Sequence, residues 1–261
     1  TSSAFPLITG DLHINGKTQA GYVSKPVIEI TGGASGAGSM TISGSSTVIE
    51  SLDFNSINAS RVIYITYTPN ISTSNVIKDN FFGVDVNGNN AKPNSGGEVI
   101  SILGNTTSNN LIQNNLIACY QTFAIQVDLG NNNSIAGNKI GVKYDGLSAF
   151  PTCTTNSIGI YIWNQNSGNA IGGPNAGDRN IIVVPQSTGI QLHSSSHDNQ
   201  VINNYIGVGS DGITPLGGGT YGMQIIVNSN NNLIEDNVVG NQSKNGIVIR
   251  KAATGNTFRN N

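Results

Sequence analysis

The chain has 261 residues, only 10% of them charged, and its net charge of −2 excludes the strongly basic surface of an electrostatic nucleic-acid binder. No apolar run approaches the roughly 18 residues of a membrane span, so we predict neither a nucleic-acid partner nor membrane insertion. Gly and Asn are abundant, while stretches rich in good helix formers are missing. This composition predicts an all-β protein with many short strands joined by tight turns.

The first 45 residues depart from the repeats that follow. We predict that residues 1–45 form an N-terminal cap together with the first rungs of the fold. A terminal repeat would otherwise expose apolar interior and unpaired strand edges. The apolar residues expected to cover this end are Phe5, Leu7, Ile8, Leu12 and Ile14.

An apolar pattern that begins with Asn recurs from residue 46 to residue 261. Two copies read SNVIKDNFF at 74 and NNLIQNNLI at 109, and STVIESLDF at 46 is a degenerate copy. The leading residues are Asn75, Asn110, Asn133, Asn169, Asn199, Asn232 and Asn256. A second set lies five residues later in most copies: Asn80, Asn115, Asn138, Asn180 (after an insertion), Asn204, Asn237 and Asn261.

Apolar and polar residues alternate within each copy, which is typical of half-buried strands. A third alternating segment lies between copies, for example FAIQV at 123 and GIYIW at 159. A repeat of roughly 23 residues with insertions indicates a solenoid. We therefore predict one continuous domain over residues 46–261, a single-stranded parallel β-helix of roughly ten rungs with three short strands each. Aliphatic columns would fill its interior, and the Asn residues would form hydrogen-bonded ladders at its corners.

Insertions lengthen alternate rungs, so long loops should project from one edge of the β-helix. Each loop carries a pair that signals a hairpin turn, at Asn87-Gly88, Asp145-Gly146 and Asp211-Gly212. Each loop offers only one or two carboxylates, and the three His residues lack a metal-binding spacing. We predict no metal and no cofactor.

Several segments resemble bacterial secreted and cell-surface parallel β-helix repeat proteins with a pectin-lyase-like fold. They are PLITGDLHINGKTQAGYVSKPVIEITG near the N-terminus and, later, NKIGVKYDG, NYIGVGSDGITPLG and AIGGPNAGDRNII. The resemblance extends over residues 5–261 and implies a right-handed β-helix, the hand that parallel crossovers generally adopt. It also implies an adhesin-like or structural protein, extracellular or on the cell surface, although fold alone does not define function.

A polysaccharide-active enzyme of the pectinase or lyase type is one alternative. Glycoside hydrolysis needs two carboxyl groups at one bond, and a lyase needs a calcium-binding acid cluster with a nearby base. The outward column at the end of the third strands contains a single acid and reads Asp128, Trp163, His193, Ile226 and Arg250. We therefore predict no catalytic residue and favour a non-enzymatic role.

One predicted surface has the chemistry of a glycan-binding face, and a glycan-binding module of a larger secreted protein is the other alternative. Two neighbouring outward columns contain Gln126, Tyr161, Gln191 and Gln224 in the first, and Asp128, Trp163 and His193 in the second. Flat aromatic rings beside amides and a carboxylate suit sugar stacking and hydroxyl hydrogen bonding. Isolated aromatics and Gln ladders on β faces also occur without any ligand.

Cys119 and Cys153 should lie at the same corner of neighbouring rungs. Neighbouring rungs bring Cα atoms within the distance that a disulfide requires. We therefore predict a Cys119–Cys153 disulfide, which implies an oxidising compartment.

The final copy, GNTFRNN, places Phe258 in an interior column with nothing above it. Either further rungs follow, or the next molecule covers this end. Head-to-tail stacking is a heterologous contact that builds filaments, so self-association through Phe258 is expected in the second case. The leading prediction is a non-enzymatic extracellular scaffold, adhesin-like or structural, that stacks end to end.

Overall fold

The computed structural model describes residues 3–32, 39–150, 152–153, 155 and 157–261. Residues 1–2 and 33–38 of the predicted cap, and residues 151, 154 and 156 of the second long loop, lie outside the described residues. The described residues form 27 short strands and two 3₁₀ helices, Gly16–Thr18 and Ala176–Asp178. The predicted all-β class is thus confirmed, and no described helix has the length and apolar character needed to span a membrane.

In chain order the strands are β1 (His13–Asn15), β2 (Glu29–Thr31), β3 (Met40–Ile42), β4 (Val48–Glu50), β5 (Asp53–Asn55), β6 (Arg61–Thr66), β7 (Ser72–Thr73), β8 (Val76–Lys78), β9 (Phe81–Phe82), β10 (Glu98–Leu103), β11 (Thr107–Ser108), β12 (Leu111–Gln113), β13 (Leu116–Ile117), β14 (Phe123–Asp128), β15 (Ser134–Ala136), β16 (Lys139–Ile140), β17 (Ile158–Trp163), β18 (Ala170–Gly172), β19 (Ile181–Ile182), β20 (Thr188–His193), β21 (Gln200–Ile202), β22 (Tyr205–Ile206), β23 (Tyr221–Ile226), β24 (Leu233–Glu235), β25 (Val238–Val239), β26 (Asn245–Arg250) and β27 (Thr257–Arg259).

These strands assemble into three long parallel sheets in a solenoid-like stack. Sheet 1 has nine strands in the order β1-β4-β8-β12-β15-β18-β21-β24-β27. Sheet 2 has eight, β2-β5-β9-β13-β16-β19-β22-β25, and sheet 3 has eight, β3-β6-β10-β14-β17-β20-β23-β26. The chain visits the three sheets in turn, and β7 and β11 form a small parallel pair.

Aliphatic columns fill the space between the sheets, as the alternating pattern predicts. In sheet 1, Ile77 pairs in register with Ile112, and Ile112 with Ile135. The same column continues through Ile171, Val201, Ile234 and Phe258. Each fully buried aliphatic side chain contributes roughly 1.5–3 kcal/mol relative to an exposed one, so the columns are the main source of stability.

Two Asn ladders run along the corners on either side of sheet 1: the leading Asn residues immediately precede its strands, and the second set lies between its strands and those of sheet 2. In the first ladder, side-chain amides of successive leading Asn residues are joined by N–H···O bonds of 2.9–3.1 Å. In the second ladder the corresponding distances are 2.7–3.2 Å. Each ladder amide also bonds backbone groups; Asn115, for example, donates to the Ile77 carbonyl at 2.8 Å. The ladders therefore satisfy backbone groups that the bends would leave unpaired.

The connection from sheet 2 to sheet 3 is long after β9, β16 and β22 and short after β13, β19 and β25. Each long loop contains a hairpin, closed by the antiparallel bridges Val84–Ala91, Val142–Ala149 and Val208–Pro215. The turn glycines Gly88, Gly146 and Gly212 have φ of 70°, 69° and 73°, a region that a Cβ disfavours. The predicted hairpin turns are thus confirmed.

The three hairpins also contact one another. Tyr144 N–H donates to the Gly88 carbonyl at 2.9 Å, and Ser210 N–H donates to the Gly146 carbonyl at 2.8 Å. The hairpins therefore form their own stack beside sheet 2.

The predicted disulfide between Cys119 and Cys153 is present, with a Cα–Cα distance of 4.7 Å. Cys119 follows β13, and Cys153 lies in the loop after β16, the neighbouring strand of sheet 2. Both residues are buried beside Phe81 and Leu116. The bond thus ties the second long loop to the preceding short connection.

The N-terminal end of the stack is partly covered. Phe5, Ile8 and Ile14 pack against the core, but Leu7 and Leu12 keep 46% and 42% of their surface exposed. These five residues line an apolar cavity of about 540 Å³. At the other end Phe258 is half-buried against the core, and Ile249 is 48% exposed.

Candidate functional site

The candidate glycan face lies on the outer side of sheet 3, where the register aligns the predicted columns. Tyr161 is paired with Gln126 on one side and Gln191 on the other. Trp163 is paired in the same way with Asp128 and His193, and Gln191 pairs with Gln224. All seven predicted residues therefore lie on four neighbouring strands of one sheet face.

The aromatic residues form a continuous cluster. The ring centroids of Tyr161 and Trp163 are 5.9 Å apart, and the ring planes differ by only 14°. Phe123 stacks on Tyr161 at 4.8 Å, and the His193 ring meets Tyr161 edge-on at 6.1 Å. The result is a half-buried row of near-parallel rings, of the kind that can pack against the apolar face of a sugar.

Ser194 holds the end of the aromatic row. The Trp163 indole N–H donates to the Ser194 hydroxyl at 3.0 Å, and the His193 ring contacts the same hydroxyl through Nδ1. Burial, and then the positive charge of Lys251, lower the pKa of His193. The His193 ring is therefore neutral at pH 7, with one donor and one acceptor nitrogen.

The three predicted Gln residues are more buried than a ligand-contacting role requires. Gln126, Gln191 and Gln224 expose 7%, 9% and 5% of their surface. Gln224 accepts from the Thr188 hydroxyl at 3.1 Å, and the Gln126 amide nitrogen faces both Glu98 carboxylate oxygens, at 3.0 and 3.1 Å. These amides therefore contribute little to the surface that a ligand could contact, whereas Phe123, Tyr161 and Trp163 are only half-buried.

Asp128 is the acid that the sequence predicts for this face, and it is only 8% exposed. Burial raises the pKa of Asp128, and the negative charge of Glu98 raises it further. The side-chain amide of Asn164 donates to Asp128 Oδ1 at 2.9 Å and lowers that pKa in part. Burial and the charge of Asp128 raise the pKa of Tyr161 to about 12. The Tyr161 hydroxyl therefore stays protonated and can donate a hydrogen bond.

Sequence reasoning missed Phe123, Glu98 and Arg61, which lie on the same face. Arg61 Nε donates to Glu98 at 2.7 Å, and the Ser101 hydroxyl donates to the same carboxylate. Strict alternation along β10 and β14 would put Val99 and Ala124 outside, but both belong to the core. The alternation of inward and outward side chains breaks at the start of each long strand of sheet 3. Only the distribution of small residues at the second position of these strands could have revealed that this position faces inward.

Two charged clusters lie near the N-terminal end, away from sheet 3. In the first, Glu50 is 4% exposed and is contacted by Lys17 at 2.8 Å, Lys78 at 3.3 Å and His13 at 2.7 Å. Burial opposes its ionisation, but the hydrogen bonds from Lys17 and His13 outweigh burial and lower its pKa to about 2. This cluster fixes the N-terminal segment to sheet 1.

The second cluster surrounds Asp53, which is fully buried and whose Oδ1 has no hydrogen-bond partner among the described residues. Asn55 donates to the other oxygen at 3.0 Å, and Glu29 is the register partner of Asp53. Burial raises the pKa of Asp53 to about 8. Among the described residues, no group of three or more His, Cys, Asp or Glu side chains is arranged to hold a metal ion.

Comparisons with protein-family models, with curated proteins and with solved structures find no match. The chain is therefore characterised by its own geometry: an all-β, solenoid-like protein whose sheet 3 presents an aromatic row beside a buried acid.

Proposed function

We propose that the protein is a non-enzymatic, adhesin-like β-solenoid that binds glycans through the outer face of sheet 3. The observation that carries the proposal is the near-parallel pair of rings, Tyr161 and Trp163, with Asp128 as the register partner of Trp163. Rings of this kind pack against the C–H groups of a sugar, and the Tyr161 hydroxyl and the His193 ring would bond its hydroxyl groups.

The finer description of the fold belongs to the same proposal. We infer a single right-handed parallel β-helix of roughly ten rungs, in the family of bacterial secreted and surface repeat proteins. The order in which the chain visits the three sheets supports it. The disulfide between Cys119 and Cys153 supports an extracellular or cell-surface location, because such bonds persist in oxidising compartments.

Trp163 makes the proposal directly testable, since the chain contains one Trp. A glycan array identifies ligands, and titration of the best one should change the intrinsic fluorescence. Trp163→Phe should keep part of the affinity, and Tyr161→Ala should reduce it at least about tenfold, or ~1.4 kcal/mol. Tyr67→Ala, which removes an exposed ring outside this face, is the matched control. Unchanged fluorescence with every array ligand, or equal affinity of the Tyr161 variant, would refute the glycan face.

The enzymatic alternative keeps one observation in its favour, the proximity of two acids on sheet 3. The charge of Glu98 acts on Asp128, but Arg61 and Ser101 bind Glu98, and Asn164 binds Asp128. Both acids thus have structural partners, and we expect no release of reducing sugar from the bound glycan. If the parent protein releases reducing sugar and the Asp128→Asn variant does not, the protein is a hydrolase instead.

End-to-end self-association is a second proposed function, favoured by the apolar cavity at the N-terminal end. Leu7 and Leu12 are exposed beside that cavity, and Phe258 and Ile249 lie at the opposite end of the stack. In light scattering over a concentration series, the apparent mass of the parent protein should rise with concentration, whereas Phe258→Ser should remain a monomer. A monomeric chain at all concentrations would rule out the stacking.

A further inference from the structure

A second cavity, of about 510 Å³, lies beside sheet 3 toward the N-terminal end of the stack. Arg61 and Tyr64 of β6 line it, together with Asn58, Ser60 and Ser95 of the connections that lead into β6 and β10. Its volume falls within the roughly 300–1,000 Å³ of small-ligand pockets. The lining is mainly polar, in contrast to that of the apolar cavity at the end of the stack.

The side chains around this cavity keep polar groups that no other side chain uses. Among the described residues, the Arg61 guanidinium makes one hydrogen bond, from Nε to Glu98 at 2.7 Å, so four of its five N–H donors remain available. The guanidinium also lies over the Tyr64 ring, with Cζ 4.7 Å from the centroid, which holds it at the cavity wall. Four further lining residues form no side-chain hydrogen bond within the described part of the chain: Asn58, Ser60, Tyr64 and Ser95. A ligand with several hydroxyl groups could therefore bond many of these groups at once.

The charge of Arg61, the one charged side chain among the described lining residues, is balanced by Glu98. The Ser101 hydroxyl and the Gln126 amide also contact the Glu98 carboxylate and fix it in place. An anionic ligand would have to compete with this carboxylate for the guanidinium and would be repelled by it. A neutral hydroxyl group can instead accept from the terminal nitrogens of Arg61 without breaking the ion pair. The cavity therefore suits a neutral ligand that is rich in hydroxyl groups.

The strand register places this cavity in line with the aromatic row of the glycan face. One outward column runs through Tyr64, Ser101, Gln126 and Tyr161. The neighbouring column runs from Arg61 through Glu98 to Phe123. Three strand spacings separate Tyr64 from Tyr161, which is roughly 14 Å along the stack. One ligand that reaches both places must therefore be longer than a single sugar ring.

We propose that the cavity is a second subsite of the glycan face, and that the ligand is a neutral, extended oligosaccharide lying along the stack. This inference rests on the proposed glycan-binding function. One end of the chain would contact Tyr161 and Trp163, and hydroxyl groups at the other end would bond Arg61, Tyr64 and Asn58. A neutral chain is favoured over an acidic one because Glu98 lies between the two subsites.

The test compares short and long ligands through the fluorescence of Trp163, which reports occupancy of the aromatic row. The neutral probes are the hexaoses of β-1,4-linked glucose, mannose and xylose, each with its disaccharide, and the acidic probe is hexagalacturonate. At least one neutral hexaose should bind at least tenfold more tightly than its disaccharide, because it also occupies the cavity. Hexagalacturonate should bind at least tenfold more weakly than that hexaose. Equal affinity for the acidic and neutral hexaoses would overturn the neutral assignment.

The double variant Asn58→Ala/Tyr64→Phe removes two of the hydrogen-bonding groups and keeps the Tyr64 ring under Arg61. It should weaken binding of the hexaose about tenfold and leave the disaccharide unchanged. The matched control is Asn105→Ala/Tyr67→Phe, at exposed residues outside the cavity, and it should bind both ligands as the parent does.

A parent protein and a cavity variant with equal affinity for the hexaose would overturn the second subsite. If Tyr161→Ala still weakens both ligands, the glycan face stands without it. If no probe binds, the second subsite and its neutral ligand are wrong, and the glycan array alone decides the glycan face.

Discussion

Asn138 and Asn180 are 42 residues apart in sequence, yet the Asn138 side chain donates to the Asn180 side chain at 3.0 Å. The second long loop and the 3₁₀ helix Ala176–Asp178 lie between them. Insertions are thus absorbed outside the stack, and the ladder continues without a break.

Asn180→Ala should destabilise the fold strongly. Asn180 donates to the Ile135 carbonyl at 2.8 Å and to Asn204 at 2.9 Å, and its Oδ1 accepts from Asn138. Each buried group left unpaired costs about 1–3 kcal/mol, so we expect a loss of at least ~2 kcal/mol in the free energy of unfolding by urea. Asn105→Ala, at an exposed turn, should cost less than ~0.5 kcal/mol, and equal losses in the two variants would contradict the ladder's role.

Acid should destabilise the protein through Glu50. Its pKa is about 2 in the folded chain against 4.5 as a reference, so ionisation favours folding. This stability is complete above pH 4.5 and is lost as the pH falls toward 2. Glu50→Gln should lower stability at pH 7 and flatten the acid side of the urea-unfolding profile. Glu235→Gln is the control, because the cation nearest to Glu235 is Arg259 at 3.7 Å, and this variant should leave the shape of the profile unchanged. Parallel profiles for Glu50→Gln and the parent protein would disprove that Glu50 causes the loss of stability in acid.

A rise in pH should destabilise the protein through Asp53. Its pKa rises from 3.8 to about 8 on folding, so the folded chain favours the protonated acid. The contribution is complete below pH 3.8 and is lost as the pH rises toward 8. Asp53→Asn should therefore raise the melting temperature at pH 9 more than at pH 4, whereas the exposed Asp11→Asn should change neither. A variant that melts lower than the parent at pH 9 would show that Asp53 is held as a carboxylate.

Gly159→Ala should overpack the corner between sheets 2 and 3. A Cβ at this position would lie 2.6 Å from the Gly189 carbonyl oxygen and 2.7 Å from Ile182 Cγ2. Overpacking of this kind typically costs about 1–3 kcal/mol, and we expect a matching loss in thermal stability. Gly177→Ala is the control, since a Cβ there meets nothing within 4 Å. A neutral Gly159→Ala would mean that the neighbouring strand can shift.

The sequence was sufficient for the features that depend on local periodicity. The interior column through Ile77 and Ile112 follows from a spacing of two residues, the two Asn ladders follow from the recurrence of Asn in each copy of the repeat, and the hairpin turns follow from turn pairs. The residues of the candidate glycan face could be aligned because one register relates Tyr161 to Gln126 and Gln191.

Other features depend on contacts that no local spacing encodes. Phe123 and Glu98 were missed because Val99 and Ala124 turn inward and interrupt the alternation. The Glu50 cluster joins residues 37 positions apart, and Lys25 meets the second long loop only through the fold. Burial of the Gln amides was equally hidden, since it depends on the size of neighbouring side chains.

The hairpin stack changes how the protein should come apart. In most solenoids each repeat contacts only its immediate neighbours, and the ends can fray one repeat at a time. Here the Gly88–Tyr144 and Gly146–Ser210 hydrogen bonds join loops that belong to every second strand of sheet 2. Release of one repeat must therefore also break a bond to the repeat beyond it, which makes fraying more cooperative than in a chain of nearest neighbours.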